Sequence, residues 1–151
     1  MAVDRERLRE RLRYVREQMA ILQPLAANGR LRAQRMGDPL RYGGMVRSLQ
    51  TSVEAMIDVA FHRCAKLYAR EAQSAVDAFE ILAQRGDIPD TYLPRVRSVV
   101  HFRNLVVHGY LQTDAGVVER IVADDLGDFV TWESLVCAMA DRSGGAPAGS
   151  P

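Results

Sequence analysis

Cysteine is scarce in this chain: Cys64 and Cys137 are its two thiols. They lie far apart and form no CxxC pair, which argues against a disulfide framework or a zinc knuckle and leaves two reduced, partly buried thiols. Histidine is nearly as rare. None of His62, His101 and His108 is followed by clustered carboxylates, so metal-ligand spacing is missing and no metal is expected. No apolar run approaches the roughly 20 residues that cross a bilayer. The opening MAVDRERLRERLR has no hydrophobic signal core. These absences place the expected site of action in the cytoplasm, away from membranes. Gly43-Gly44 is no phosphate loop, because the Lys-Ser/Thr of a Walker sequence does not follow it. No βαβ alternation, convincing hairpin or internal repeat is present, and no cofactor is expected.

Lysine is rarer still: Lys66 is the one lysine among 20 basic residues. Net charge is only +1, so the chain as a whole does not advertise polyanion binding. Its distribution is uneven, with eleven arginines against five acids in residues 1–50 and nine basic residues against fourteen acids beyond. The excess has two readings, a surface that steers a phosphate backbone or a solvated helix face. Alternating signs of charge favour the solvated face.

What the chain does have is helical periodicity. Its 151 residues suit one domain with a single core. The spacing of Leu8, Leu12, Val15, Met19 and Leu22 predicts a first helix from about Asp4 to Ala27, which Pro24 should kink or stop. Asn28 to Pro39 reads as a loop, and its stretch NGRLRAQRM is basic and irregular. A second long helix reaches about Leu67, with Val46, Leu49, Val53, Met56, Ile57 and Ala60 inward. A third runs from about Ala72 to Arg85 with Val76, Phe79 and Leu82, and Gly86 follows where a left-handed cap belongs. The fourth opens between Asp90 and Pro94 and runs toward Gly109. The fifth spans about Ala115 to Ala140, with Val118, Ile121, Val122, Leu126, Phe129, Val130, Leu135 and Met139 inward. The expected architecture is all-α, an antiparallel bundle of about five helices over residues 1–141, with residues 142–151 as a disordered tail.

The densest chemistry lies in HFRNLVVHGY, His101 to Tyr110. Arg103, Asn104, His108 and Tyr110 interrupt an apolar helical stretch, and burying a guanidinium and an imidazole unpaired costs several kcal/mol. At about 100° per residue, Arg103 and Tyr110 lie within roughly 20° of each other. Asn104 and His108 are four apart and can touch. Arg103 and His108 are about 140° apart on a regular helix. Unwinding at Gly109 would bring them together, and so would completion of the site by a second subunit in a two-fold dimer. His101 falls near the His108 face and reads as a satisfied surface or core histidine. Glu54 and Asp58, four apart on helix two, read as ordinary exposed carboxylates in preference to supports for the arginine.

Such a groove suits metal-independent RNA cleavage. A neutral imidazole, with a reference pKa near 6.5, takes the proton of an RNA 2′-hydroxyl as that oxygen attacks the adjacent phosphate. An arginine offers paired donors to the charge growing on the phosphoryl oxygens. Asn104 would orient the imidazole or donate to phosphate. The competing structural reading is that Arg103, Asn104 and His108 cap helix four and pair across the bundle.

Arg103-x4-His108-x-Tyr110 resembles the signature of HEPN-domain proteins, and among these the HepT-like toxins. The likeness extends to the Arg-rich first helix, to DPLRYGGMVRSLQTSVEAMIDVAFHRC (Asp38–Cys64) and to AFEILAQRGDIP (Ala78–Pro89), in the family's order across most of residues 4–135. The resemblance implies an all-helical, dimeric ribonuclease toxin whose partner is a minimal nucleotidyltransferase antitoxin. It implies RNA cleavage through Arg103 and His108. It further implies that the partner silences the toxin by attaching AMP to Tyr110, where phosphate charge would block the groove. The alternative is a non-catalytic helical module acting as the substrate-binding subunit of a nucleotidyltransferase.

Overall fold

The computed structural model describes residues 2–25, 37–108 and 120–145. Among them are five α-helices and no strand: α1 (Ala2–Leu22), α2 (Pro39–Leu67), α3 (Ala75–Gln84), α4 (Leu93–Val107) and α5 (Leu126–Gly145). α1 packs on α2 and α5, while α2 also carries α3 and α4. The short connections around α3 turn the chain back on itself, as in an antiparallel bundle. None of the described helices is long and apolar enough to cross a membrane.

Helix ends follow local chemistry. α1 gives way to a 3-10 turn, Gln23–Leu25, centred on Pro24, whose ring cannot continue the α ladder. α2 begins with Pro39 at its first position, where a missing N–H costs nothing. It runs through Gly43 and Gly44 because buried Met45 and Leu49 secure the flanking turn. α3 starts three residues later than expected. Ser74 caps it by accepting from the Asp77 N–H at 3.0 Å, while Asp77 Oδ2 accepts from the Gln73 N–H at 2.8 Å. At its other end Gly86 adopts φ +79, and the N–H groups of Gly86 and Asp87 donate to Ala83 and Leu82. This is the left-handed closure that Gly86 suggests.

All five apolar residues expected inward on α1 are buried, as are Leu49, Val53, Met56, Ile57 and Ala60 of α2. Val130 corrects the pattern for the last helix, since it is exposed. The large apolar residue turned inward there is Trp132, which meets Phe79 edge-on with centroids 5.6 Å apart. Val130, two residues earlier, is thereby carried about 160° to the outside. A π-turn, Ile121–Asp125, leads into α5. The helix continues to Gly145, four residues past the boundary expected for the tail, because its backbone ladder persists through Ser143 and two glycines. Asn28 to Met36, Val118 and residues 146–151 lie outside the described residues.

Two polar clusters stitch the bundle. Arg63 and Asp87, both buried, pair at 3.4 Å, and the Tyr68 hydroxyl donates to the same carboxylate. Burial, reinforced by that hydrogen bond, raises the Tyr68 phenol above its ordinary pKa. At the start of α4 the buried Tyr92 hydroxyl donates to the Asp128 carbonyl at 2.8 Å, and Arg95 pairs with the Asp128 carboxylate at 2.7 Å. Burial, with the Asp128 charge beside it, pushes the Tyr92 phenol well above the tyrosine range. Burial also raises the Asp125 carboxyl, as do the neighbouring Asp128 and Asp124 charges.

Candidate functional site

The carboxyl-terminal end of α4 carries the candidate residues. Pro94 stands within its first turn, and Val96, Val99, Val100 and Phe102 are buried against the bundle. Phe102 thus seats the helix one residue before Arg103. Arg103 is half-buried, with its side chain 24% exposed, and it leans on α2: Nη1 lies 3.9 Å from Glu54 Oε1. Its Nε is buried and meets no hydrogen-bond partner among the described residues. Asn104 is exposed, and its carbonyl accepts from the His108 N–H at 3.0 Å.

His108 is exposed and closes the helix as its C-cap, with φ −88 and ψ 2. Regular α4 geometry therefore ends at Val107, two residues before Gly109, the position at which unwinding was one way to bring the arginine and histidine together. The expected arginine and histidine sit in unlike surroundings, one wedged against α2 and the other at the helix terminus. Gly109 and Tyr110 lie outside the described residues. His101 is exposed, which leaves the surface alternative of the two read for it and not the core one.

Glu54 and Asp58 correct the expectation of idle carboxylates. Both are used across helices: Glu54 reaches Arg103 of α4, and Asp58 binds Arg7 and Arg11 of α1. Their i, i+4 spacing places them on one face of α2, but which helix crosses that face is a tertiary matter. Beside them runs an open groove of about 580 Å³, lined by Arg11, Tyr14, Glu54, Asp58 and Phe61 among others. The amino-terminal arginines divide in the same way. Arg7, Arg11 and Arg16 are engaged with Asp58 or Glu133, whereas Arg5, Arg9 and Arg13 face solvent. Among the described residues no three histidine, cysteine or acidic side chains are grouped to hold a metal ion.

A half-buried cation and an exposed imidazole at the end of one helix suit phosphate chemistry, and comparison with known proteins defines its class. Residues 12–131 match the family described as ribonuclease HepT-like. The chain belongs to this family of HepT-like ribonucleases. An mRNA nuclease HepT from Shewanella oneidensis is 32% identical over 94 residues, 62% of this chain and 71% of that protein. Among solved structures, a crystal structure of a MntA–HepT toxin–antitoxin superposes with a TM-score of 0.74 and 25% identity, covering 88% of this HepT-like chain and 98% of the other. Another similar structure shows a tri-AMPylated Shewanella oneidensis HEPN toxin in complex with an MNT antitoxin, with a TM-score of 0.76 and 24% identity. It shares the helical fold. The expected all-α HEPN-like bundle is thus the architecture this HepT-like chain adopts.

Proposed function

We propose that this chain is the toxin of a HepT/MntA-type toxin–antitoxin system, a metal-independent endoribonuclease that a nucleotidyltransferase antitoxin silences by AMPylation. The observation that carries the reading is the sequence Arg103-x4-His108-x-Tyr110, whose arginine and histidine lie at the end of α4, in a member of the HepT-like ribonuclease family. The relatives described as an mRNA nuclease and as toxins bound to antitoxins support it.

In this reading His108 takes the proton of an RNA 2′-hydroxyl, whose oxygen attacks the neighbouring phosphorus. The bond from phosphorus to the 5′-oxygen breaks, leaving a 2′,3′-cyclic phosphate and a 5′-hydroxyl that takes up a proton. Arg103 holds the phosphoryl oxygens through the charge build-up. Asn104 supports the imidazole or the phosphate. Because the arginine is wedged and the histidine terminal, a two-fold dimer that sets the motifs across one groove supplies the composite site. The assembly works in the cytoplasm, where RNA and the partner's ATP are at hand, and Tyr110 receives the AMP.

The test is expression of the chain alone, followed by RNA cleavage with the purified protein. Wild type should arrest growth and cut single-stranded RNA in the presence of EDTA. His108→Ala should grow normally and lose at least about 100-fold in rate, the lower end of general acid–base contributions. Equal harmlessness of the two, with no cleavage by either, removes the toxin reading.

A further inference from the structure

We infer that Glu54 is a positioning residue for Arg103, holding the guanidinium at the angle from which it meets the scissile phosphate. The inference rests on the reading of Arg103 as the phosphate-binding cation. A guanidinium is a rigid fork of five donors, so its usefulness depends on how the plane is turned. Arg103 has few means of fixing that plane. Its Nε is buried without a hydrogen-bond partner among the described residues, and its neighbours Phe102, Leu105 and Val106 are apolar and at least partly buried. Apolar side chains supply no directional bond to a guanidinium. Among the described residues, the directional influence on the side chain is the Glu54 carboxylate, 3.9 Å from Nη1.

The length of that contact matters. It exceeds a hydrogen bond yet lies within ion-pair range, so charge turns the fork while the Nη donors stay available to a phosphate. A tight bidentate pair would occupy them. The comparison one turn away is Asp58, which grips Arg7 through both oxygens at 2.7 and 3.1 Å and takes Arg11 as well. Asp58 is therefore committed to α1, and Glu54 is left to α4. Glu54 is also the more open of the two, its side chain 43% exposed. It can yield as RNA arrives.

Positioning and simple electrostatics predict opposite signs. A carboxylate beside a phosphate site repels RNA, so its neutralisation alone would tighten binding and raise kcat/KM. If Glu54 orients Arg103, its loss lowers kcat. The experiment compares antitoxin-free wild type, Glu54→Gln, Arg103→Ala and the double variant on a fluorescent single-stranded RNA oligonucleotide, with single-turnover rates at excess enzyme to capture residual activity. Glu54→Gln should melt at the wild-type temperature, keep KM at or below the wild-type value, and lose about tenfold in kcat, within the range that misplacing a catalytic group produces. In the Arg103→Ala background the same change should have no further effect.

Unchanged or raised kcat in Glu54→Gln, a loss confined to KM, a matching fall in melting temperature, or an additive loss in the double variant overturns the inference while Arg103→Ala keeps only residual activity. If Arg103→Ala cleaves as well as wild type, the assignment of the cation itself fails, and the positioning role goes with it.

Discussion

Asp58 of α2 takes the Arg7 guanidinium of α1 side-on, accepting from Nε at Oδ2 (3.1 Å) and from Nη2 at Oδ1 (2.7 Å). Burial by itself would raise the Asp58 carboxyl, but the hydrogen bonds and charges of Arg7 and Arg11 outweigh it and hold the group below 3.8. A carboxylate depressed in the folded state stabilises it above the unfolded pKa, and that contribution fades as pH falls through the folded value. The groups are about a third or more exposed, so solvent limits the contribution to about 1 kcal/mol. Asp58→Asn should therefore unfold at lower urea than wild type at pH 7, and the gap should close as pH falls through the depressed Asp58 pKa, below 3.8. A gap that persists unchanged into acid would assign the effect to packing.

Ala69, just beyond α2, adopts φ 49, a left-handed conformation that costs an alanine but not a glycine. Ala69→Gly should raise stability by about 0.5 kcal/mol, net of the greater freedom glycine has when unfolded. Gly86→Ala should lower it by about 1 kcal/mol, since φ is +79 there while space around the new methyl is open. Chemical denaturation of both variants reads the two signs directly. If both substitutions destabilise, the Ala69 backbone is held by something other than its own dihedral preference.

The placement of Arg103 and His108 predicts self-association. Sedimentation equilibrium at micromolar concentration should give a dimer, and mixing His108→Ala with Arg103→Ala should restore part of the activity if each site draws on both chains. A monomer that cleaves RNA at the wild-type rate removes the composite site.

Tyr110 predicts the silencing chemistry. Tyr110→Phe should cleave RNA close to the wild-type rate, because the hydroxyl takes no part in the transfer assigned to His108 and Arg103. It should gain no AMP mass when incubated with the nucleotidyltransferase partner and ATP. Intact-mass measurement that finds the same adduct on Tyr110→Phe and on wild type places the modification elsewhere.

Much of the fold was legible because α1 and α2 announce their inner faces every three or four residues, and because Gly86 stands where a helix must close. The inward Trp132 and the outward Val130 were less visible. A uniform 3.6-residue count assigned Val130 inward, whereas the register of α5 is set by an indole packing on Phe79 across the bundle. The candidate residues from Arg103 to Tyr110 were readable as a cluster, since four polar groups interrupt an apolar stretch of sequence. Their supports were not. The pairs Arg103–Glu54 and Arg63–Asp87 join residues far apart in sequence, and spacing along one helix gives no view of the helix lying across it.

The Tyr92 and Arg95 bonds to Asp128 make α5 the datum from which α4 is measured. Close hydrogen bonds hold the opening turn of α4, whereas the half bearing the motif rests on apolar contact and the looser Arg103–Glu54 pair, and apolar contact resists separation more than sliding. Asp128 stands three residues after the π-turn at Ile121–Asp125. The wider i→i+5 ladder of that turn takes up an extra residue, so α5 emerges with Asp128 turned toward Tyr92 and Arg95, the mooring of a helix whose working end lies some 20 Å away. The gauge of the candidate site is thus kept by a wide turn in a different helix.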